Sequence, residues 1–266
     1  AKSVPEDPYC GLADPGQLAT EIPDLDMCDD LEPDTGVMEA WAQEAEDAAR
    51  AVEGVTNSEG AEAGWGKYSV ALASSNGFAQ AYARSGSSLS VSVIAGSGTE
   101  MERDYDYTSA VYATDMMGAQ EIGRSAGEKS VRRLNPRKVE TGQVPVVYDP
   151  RVSRSIVGHL AGAVSGTAVA RGTTFLKDSL DQEIFPTSVN IIDNPLRTRG
   201  LKSKPFDGEG LATKPVNIIE NGRLTTWVMD LRSARQLGLE STGHASRGTS
   251  GPPSPSTSNL YLEAGT

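Results

Sequence analysis

Only two histidines occur in the 266 residues, His159 and His244, and each lies where a side chain could do chemistry. His159 sits within Asp149-Pro-Arg-Val-Ser-Arg-Ser-Ile-Val-Gly-His-Leu-Ala-Gly-Ala-Val-Ser-Gly166, in a run of small and apolar residues. Two readings stand for it: a general base, or a hydrogen-bonded core residue. His244 lies between Gly243 and Ala245 in a Gly/Ser/Thr loop, where it could position a peptide backbone or satisfy the loop itself. Asp207 and Glu209 flank Gly208 in a tight polar turn before a strand. Ser165 and Ser179 are hydroxyl nucleophiles in principle, yet no Gly-x-Ser-x-Gly elbow or oriented Ser–His–acid set accompanies them. A hydrolytic zinc site needs about three protein ligands, an open position for water and a base. With one histidine in the 149–166 window, that segment cannot place two His ligands on one helix face.

The elements that would carry these residues follow from periodicity. Asp149 can cap a helix over 150–166, and Pro150 suits its first turn, where no amide donor is needed. Val144–Tyr148 reads as a short strand leading into it. Gly158, Gly162 and Gly166 are spaced by four and predict close packing of this helix against a neighbour. Upstream, residues 1–34 are rich in Pro and Asp and read as an extended linker wrapped over another part of the protein. A helix over roughly 36–54 has Val37, Trp41, Ala45, Ala48 and Val52 as its apolar stripe. From Gly66 the pattern alternates: Tyr68–Ala73 and Phe78–Arg84 flank a Ser75-Asn-Gly77 turn, and Ser87–Ala95 and Asp104–Ala113 follow as further strands. These four read as an antiparallel meander. Residues 119–134 form a helix with Ile122, Ala126 and Leu134 inward, and with Lys129, Arg132 and Arg133 complementing the dipole at its C-terminal end. Further strands are expected at Val189–Ile192 and at Val216–Ile219 and Leu224–Met229. The last two flank Glu220-Asn-Gly-Arg223, the strongest hairpin signal in the chain. Ser233–Leu237 is a short helix closed by Gly238. The Gly/Pro/Ser-rich stretch 248–258 reads as mobile and leads to Asn259-Leu-Tyr-Leu-Glu-Ala-Gly265, which resembles a strand at the chain end.

The net charge of −12 is unevenly placed: residues 1–62 hold 17 acidic and two basic side chains, and the remainder is nearly neutral. An acidic arm before a neutral body offers no dominant basic face, which disfavours direct nucleic-acid binding. No run of about 18 apolar residues predicts a membrane span, and the first residues lack the apolar core of a signal peptide. Cys10 and Cys28 read as reduced thiols of a cytoplasmic protein, with a Cys10–Cys28 bridge left open.

Several segments, taken in order, resemble the TldD/TldE (PmbA) family. They are Ser74-Ser-Asn-Gly-Phe78, Met101-Glu-Arg-Asp-Tyr-Asp-Tyr107, Arg133-Leu-Asn-Pro136, Gly158-His-Leu-Ala-Gly162, Ser203-Lys-Pro-Phe-Asp-Gly-Glu-Gly210, Ser233-Ala-Arg-Gln-Leu-Gly238 and Ser241-Thr-Gly-His-Ala245. Within 1–65 the recognisable part is Glu6-Asp-Pro-Tyr-Cys-Gly-Leu-Ala-Asp-Pro15. Aligned on Gly162, the His-Glu-x-x-x-His zinc motif of the TldD half places its first His at Gly158, its Glu at His159 and its second His at Ala163. The resemblance is therefore to the TldE/PmbA branch, in which those ligands are absent.

The resemblance implies an α+β protein: an antiparallel β-meander with flanking helices, then a β-rich mixed domain containing a degenerate zinc-type helix. The expected divisions are 1–65 (acidic linker and helix), 66–136 (central α+β domain) and 137–266 (part of a C-terminal β-rich domain). The chain is expected to lack an N-terminal domain and the C-terminal end. The implied function is that of a non-catalytic, metal-free partner, or a homodimer, in a TldD/TldE metalloprotease system acting on unfolded peptides. The cofactor expectation is none, with zinc only in a TldD-like subunit, Gly158 and Ala163 being the degenerate ligand positions. The family's other label, modulator of DNA gyrase, fits this indirectly. The alternatives are a peptidase in its own right, with His159 or His244 as candidate catalytic residues, or a gyrase-modulating binding protein.

Overall fold

The computed structural model describes residues 5–265. The chain separates into two compact units: 26–70 with 82–145, and 1–25 with 71–81 and 146–266. Both are mixed α+β with antiparallel sheets.

In the first of these, helix α1 (Thr35–Arg50) begins where the Asp34 carboxylate accepts the Val37 amide proton at 2.9 Å. Ala45 and Ala49 are buried on it, whereas Val37 faces solvent. Against α1 packs α2 (Ala119–Arg132), close enough that a Cβ on Gly123 would overlap the Ala45 carbonyl oxygen. The helices lie over one face of a three-stranded sheet in the order β1-β2-β3: β1 (Val55–Ala73), β2 (Ala79–Ala95) and β3 (Glu102–Ala110). Leu89, Val91, Val93 and Ala95 alternate inward on β2, as a half-buried strand should.

Three strands replace the expected four. Phe78–Arg84 and Ser87–Ala95 merge into the single long β2, because Ser85-Gly86 continues the ladder instead of turning. The other arm begins at Val55, eleven residues before the alternation becomes legible, because Gly60, Gly64 and Gly66 dilute its pattern. The basic cluster closing α2 also does more than complement a dipole. Lys129 Nζ lies 2.6 Å from Asp106, and Arg133 reaches Glu102 and Asp104 at 3.6 and 3.4 Å. Burial alone would push Asp106 up, but hydrogen bonds from Lys129, Ser125 and the Tyr107 amide bring its carboxyl below the usual range.

The second unit is built on a four-stranded antiparallel sheet in the order β6-β5-β4-β9: β4 (Ile191–Asp193), β5 (Val216–Glu220), β6 (Arg223–Leu224) and β9 (Leu260–Leu262). Its core joins Ile191, Ile218, Ile219, Leu224, Trp227 and Val228 to Leu160 and Val164. The Asn221-Gly222 turn has φ of 48° and 78°, the positive values that a two-residue hairpin requires. Helix α5 (Leu231–Leu237) is capped by Asp230 and closed by Gly238 at φ 68°. The N-terminal segment lies across this unit. Ala13, Ala19 and Leu25 are buried, and Arg235 donates to the carbonyls of Tyr9, Gly11 and Leu12 at 3.3, 3.1 and 2.7 Å.

The remaining elements are α3 (Pro150–Ala163), α4 (Gly166–Ala170), β7 (Ala245–Ser246) and β8 (Ser254–Pro255). Two expectations are corrected here. Val144–Tyr148 forms no strand: Val144, Val146 and Val147 are solvent-exposed. β-branched composition favours a pleated surface only where a neighbouring strand is available. The expected helix at 150–166 breaks at Val164–Ser165, where Val228 bonds to Val164 and Gly166 in a strand-like exchange.

Gly123→Ala tests the helix contact. Helix propensity favours Ala by about 1 kcal/mol, whereas overpacking against Ala45 costs about 1–3 kcal/mol. Because the obstructing atom is backbone, the clash should win, and urea denaturation should show net destabilisation.

Candidate functional site

Helix α3 starts at the Asp149 cap, whose carboxylate accepts the Arg151 amide proton at 2.9 Å, with Pro150 at the first turn. Leu160 anchors it in the core, with Val157 and Ala163 packed partly against the same cluster. Its C-terminal end is held by the buried Thr174, whose hydroxyl donates to the Ala163 carbonyl at 2.7 Å. Gly158, His159 and Gly162 face solvent, and Ala163 is half-buried. His159 is therefore not a core residue, because the helix is anchored through Leu160 on a different face. Nor do the three glycines act together. A Cβ on Gly158 or Gly162 would meet open space, while one on Gly166 would come within 2.7 Å of Ser233 and 2.8 Å of Met229. Only Gly166 is a packing glycine.

Beside the exposed side of α3 runs a groove of about 430 Å³. One wall is Ala161, Gly162, Ser165, the α4 residues Thr167 and Ala168, and Arg171 just after α4; the other is Pro255, Ser256 and Thr257. The second wall comes from the stretch that reads as mobile in sequence. Here it is pinned. The Asp193 carboxylate, fully buried on β4, accepts from His244 Nε2 at 2.9 Å and from the Ser258 amide and hydroxyl at 2.8 and 2.7 Å. His244 Nδ1 lies 2.8 Å from the Thr242 carbonyl, and the Ser256 amide donates to the His244 carbonyl at 2.9 Å. One carboxylate thus fixes both ends of the loop between His244 and Ser258. His244 is only 1% exposed, so its ring serves this clamp and meets no solvent-borne ligand.

The turn at Asp207 adjoins the same strand pair. Asp207 accepts from the Glu209 and Leu211 amides at 2.9 Å each and from the Ala245 amide at 3.1 Å. Burial pushes its carboxyl up against those bonds. Lys204, half-buried, donates to the Ala245 carbonyl at 3.1 Å, and desolvation pushes its ammonium down despite the nearby Asp207 and Asp193. Glu209 accepts the Leu231 amide proton at 2.8 Å, yet burial, with Asp207 and Asp230 beside it, raises it to about 7.

These groups make a positioning network, with no nucleophile paired to a base. Neither Ser165 nor Ser179 is within hydrogen-bond reach of a histidine, and Ser179 sits in the turn after Leu176. Among the described residues no group of three or more His, Cys, Asp or Glu side chains is placed to hold a metal ion. Gly158 and Ala163 contribute no donor atom, so the residues on α3 do not fit a zinc ion. Asp193, Lys204 and Ser258 escaped the sequence reading. Each is ordinary in its local sequence, and only the fold brings them within reach of His244 and Asp207.

Residues 141–266 match the PmbA/TldA metallopeptidase C-terminal domain, and residues 28–134 match the central domain of the same proteins. Metalloprotease PmbA of Escherichia coli O157:H7 is 39% identical over 248 residues, covering 92% of this chain and 55% of that protein. A PmbA homologue of Haemophilus influenzae is 37% identical over 246 residues, covering 92% and 54%. The chain thus spans about half the length of the curated relatives it matches. The fold superposes on a modulator-of-DNA-gyrase protein from Bacteroides thetaiotaomicron with a TM-score of 0.88 at 26% identity, covering 99% of this chain and 59% of that one. Against TldE from Thermococcus kodakarensis the TM-score is 0.80 at 19% identity, covering 100% and 60%, a likeness of fold alone.

Two measurements probe the network. Removing His244 as His244→Ala leaves Asp193 buried without a principal partner and should cost about 3–5 kcal/mol in urea denaturation. Glu209 has a folded pKa above the ordinary glutamate value of 4.5, so folding favours its protonated form. That contribution is complete below pH 4.5 and is lost as the pH rises through about 7. Glu209→Gln should therefore gain stability relative to the parent at pH 8 compared with pH 5. Equal unfolding midpoint differences at the two pH values would contradict the assignment.

Proposed function

We propose that this chain, which belongs to the PmbA/TldD metallopeptidase family, is part of the TldE-like, non-catalytic subunit of a TldD/TldE system that processes unfolded peptides. The observation that carries the reading is helix α3. It presents Gly158 and His159 to solvent and keeps Ala163 beside its core, where the resemblance places a zinc motif's two histidines and glutamate. A site without donors cannot polarise a water molecule, so zinc and the hydrolytic step belong to a TldD-like partner in a cytoplasmic heterodimer. This subunit would contribute binding surface for an extended peptide. Backbone-mediated recognition, such as pairing along a sheet edge, explains how such a subunit can serve peptides of many sequences. The described residues contain no helix long and apolar enough to cross a membrane.

The exposure of His159 gives a second reading its one foothold, a peptidase acting alone through that ring. A gyrase-binding protein, the reading suggested by the neighbours' names, would instead capture purified gyrase without any TldD-like protein.

The test uses the full-length protein, alone and co-purified with a TldD-like protein, with an unstructured peptide as substrate. Cleavage is expected only when both proteins are present, and a chelator should abolish it. Stoichiometric zinc on this protein alone, with Gly158 and Ala163 unchanged, would overturn the proposal. So would chelator-resistant cleavage by this protein alone that is lost in His159→Ala.

A further inference from the structure

The groove beside α3 has a chemistry that the family assignment does not explain. Its lining holds one ionisable side chain, Arg171, and no carboxylate, in a chain whose net charge is −12. Among the described residues no acidic side chain pairs with the Arg171 guanidinium, and none satisfies the Ser165 or Thr167 hydroxyl. Two of the other polar side chains turn inward on the backbone: Thr173 donates to the Ala168 carbonyl at 3.2 Å and Ser256 to the Thr257 carbonyl at 3.3 Å. The helical wall includes the small residues Ala161, Gly162 and Ala168, and a Cβ built on Gly162 would project into empty space. Small side chains there let another backbone approach the helix closely. A volume of about 430 Å³ falls within the range of small-ligand sites, which suits a short peptide end better than a whole domain.

From these features we infer that the groove is a subsite for the carboxylate end of an extended peptide. Arg171 would take the carboxylate through its paired N–H donors, and the Ser165 and Thr167 hydroxyls would bond the adjoining backbone. Guanidinium and carboxylate match in geometry, so two parallel charge-assisted bonds can form. No bond is made or broken; the groove holds one end of the chain. The inference rests on the reading of this protein as a peptide-binding subunit, and it adds which end is held and by which residue. The groove's second wall depends on the Asp193–His244–Ser258 clamp, so the fold supplies a rigid boundary where the sequence shows only Gly, Pro and Ser.

A fluorescein-labelled, unstructured Ala/Ser hexapeptide provides the probe, made with a free C-terminal acid, with a C-terminal amide, and as an amide carrying a penultimate Glu. Anisotropy titrations use the full-length protein, with unfolding curves confirming that each variant is folded. The free acid should bind about tenfold or more tighter than the plain amide. Arg171→Gln should remove that advantage and leave the amide unchanged, while Arg171→Lys should restore it only in part. The Glu-bearing amide separates a side-chain carboxylate from a terminal one: it should bind like the plain amide, and binding equal to the free acid would overturn the assignment to a chain end. Gly162→Phe, which fills the groove without a backbone clash, should abolish binding of all three peptides. Equal binding of acid and amide, or binding unaffected by both Arg171→Gln and Gly162→Phe, would overturn the groove and leave the peptide role standing. Competition by millimolar inorganic phosphate as effective as that of the unlabelled acid would reduce it to a general anion site and overturn it too. If the parent binds none of the three peptides, with or without a TldD-like protein, the peptide-subunit reading itself fails.

Discussion

The C-terminal unit depends on one buried carboxylate. Asp193 is fully removed from solvent, and an isolated charge there would cost several kcal/mol. Three hydrogen bonds to two residues, His244 and Ser258, compensate it. Those residues are far from Asp193 in sequence and close to each other across a Gly/Pro/Ser-rich loop, so satisfying the charge also fixes the loop. Without the clamp the loop has little reason to stay ordered. It buries few apolar side chains, and its two-residue strands β7 and β8 are too short to hold alone. The electrostatic demand of one side chain thereby becomes the geometry of a groove.

The Asp207 turn repeats this logic with a different outcome. Its carboxylate is satisfied by three backbone amides, one of them from Ala245, immediately after His244. Lys204 bonds to the carbonyl of that same residue. Ala245 is thus held through both its N–H and its C=O, by the side chains of Asp207 and Lys204. Glu209 sits at the margin of this arrangement, where a single amide bond and two neighbouring acids leave it raised to about 7. Glu209 accepts one amide proton, from Leu231, where Asp207 accepts three.

How much of this was legible in the sequence differs by element, for physical reasons. Helices α1, α2 and α5 were readable because amphipathic spacing and capping residues are local. The Asn221-Gly222 turn was readable because only certain residues tolerate its backbone angles. The family assignment was readable because it rests on seven short segments in a fixed order. Strand pairing was read less well. β2 looks like two strands because Ser85-Gly86 resembles a break, and Val144–Tyr148 looks like a strand although nothing pairs with it. Least legible was the polar network. A buried Asp–His–Ser arrangement is made by three residues spread over 66 positions, and a buried aspartate has no local signature that separates it from an exposed one.

Helix α3 marks the limit of motif reasoning. Its cap, its proline and the Gly158–Gly162 spacing describe a helix well, yet the same residues do not say which side is buried. Leu160 sets that, through core partners contributed by β4 and β5, and its anchoring leaves Gly158, His159 and Gly162 facing outward. An outward face of small residues is a poor way to stabilise a helix, since glycine costs about 1 kcal/mol relative to alanine at each interior position. Among the described residues neither Gly158 nor Gly162 has a packing neighbour that offsets this cost. Gly162 opens into the groove lined by Arg171, whose guanidinium has no acidic partner among the described residues. Its missing side chain leaves open space beside the helix backbone, where the proposed peptide end would lie.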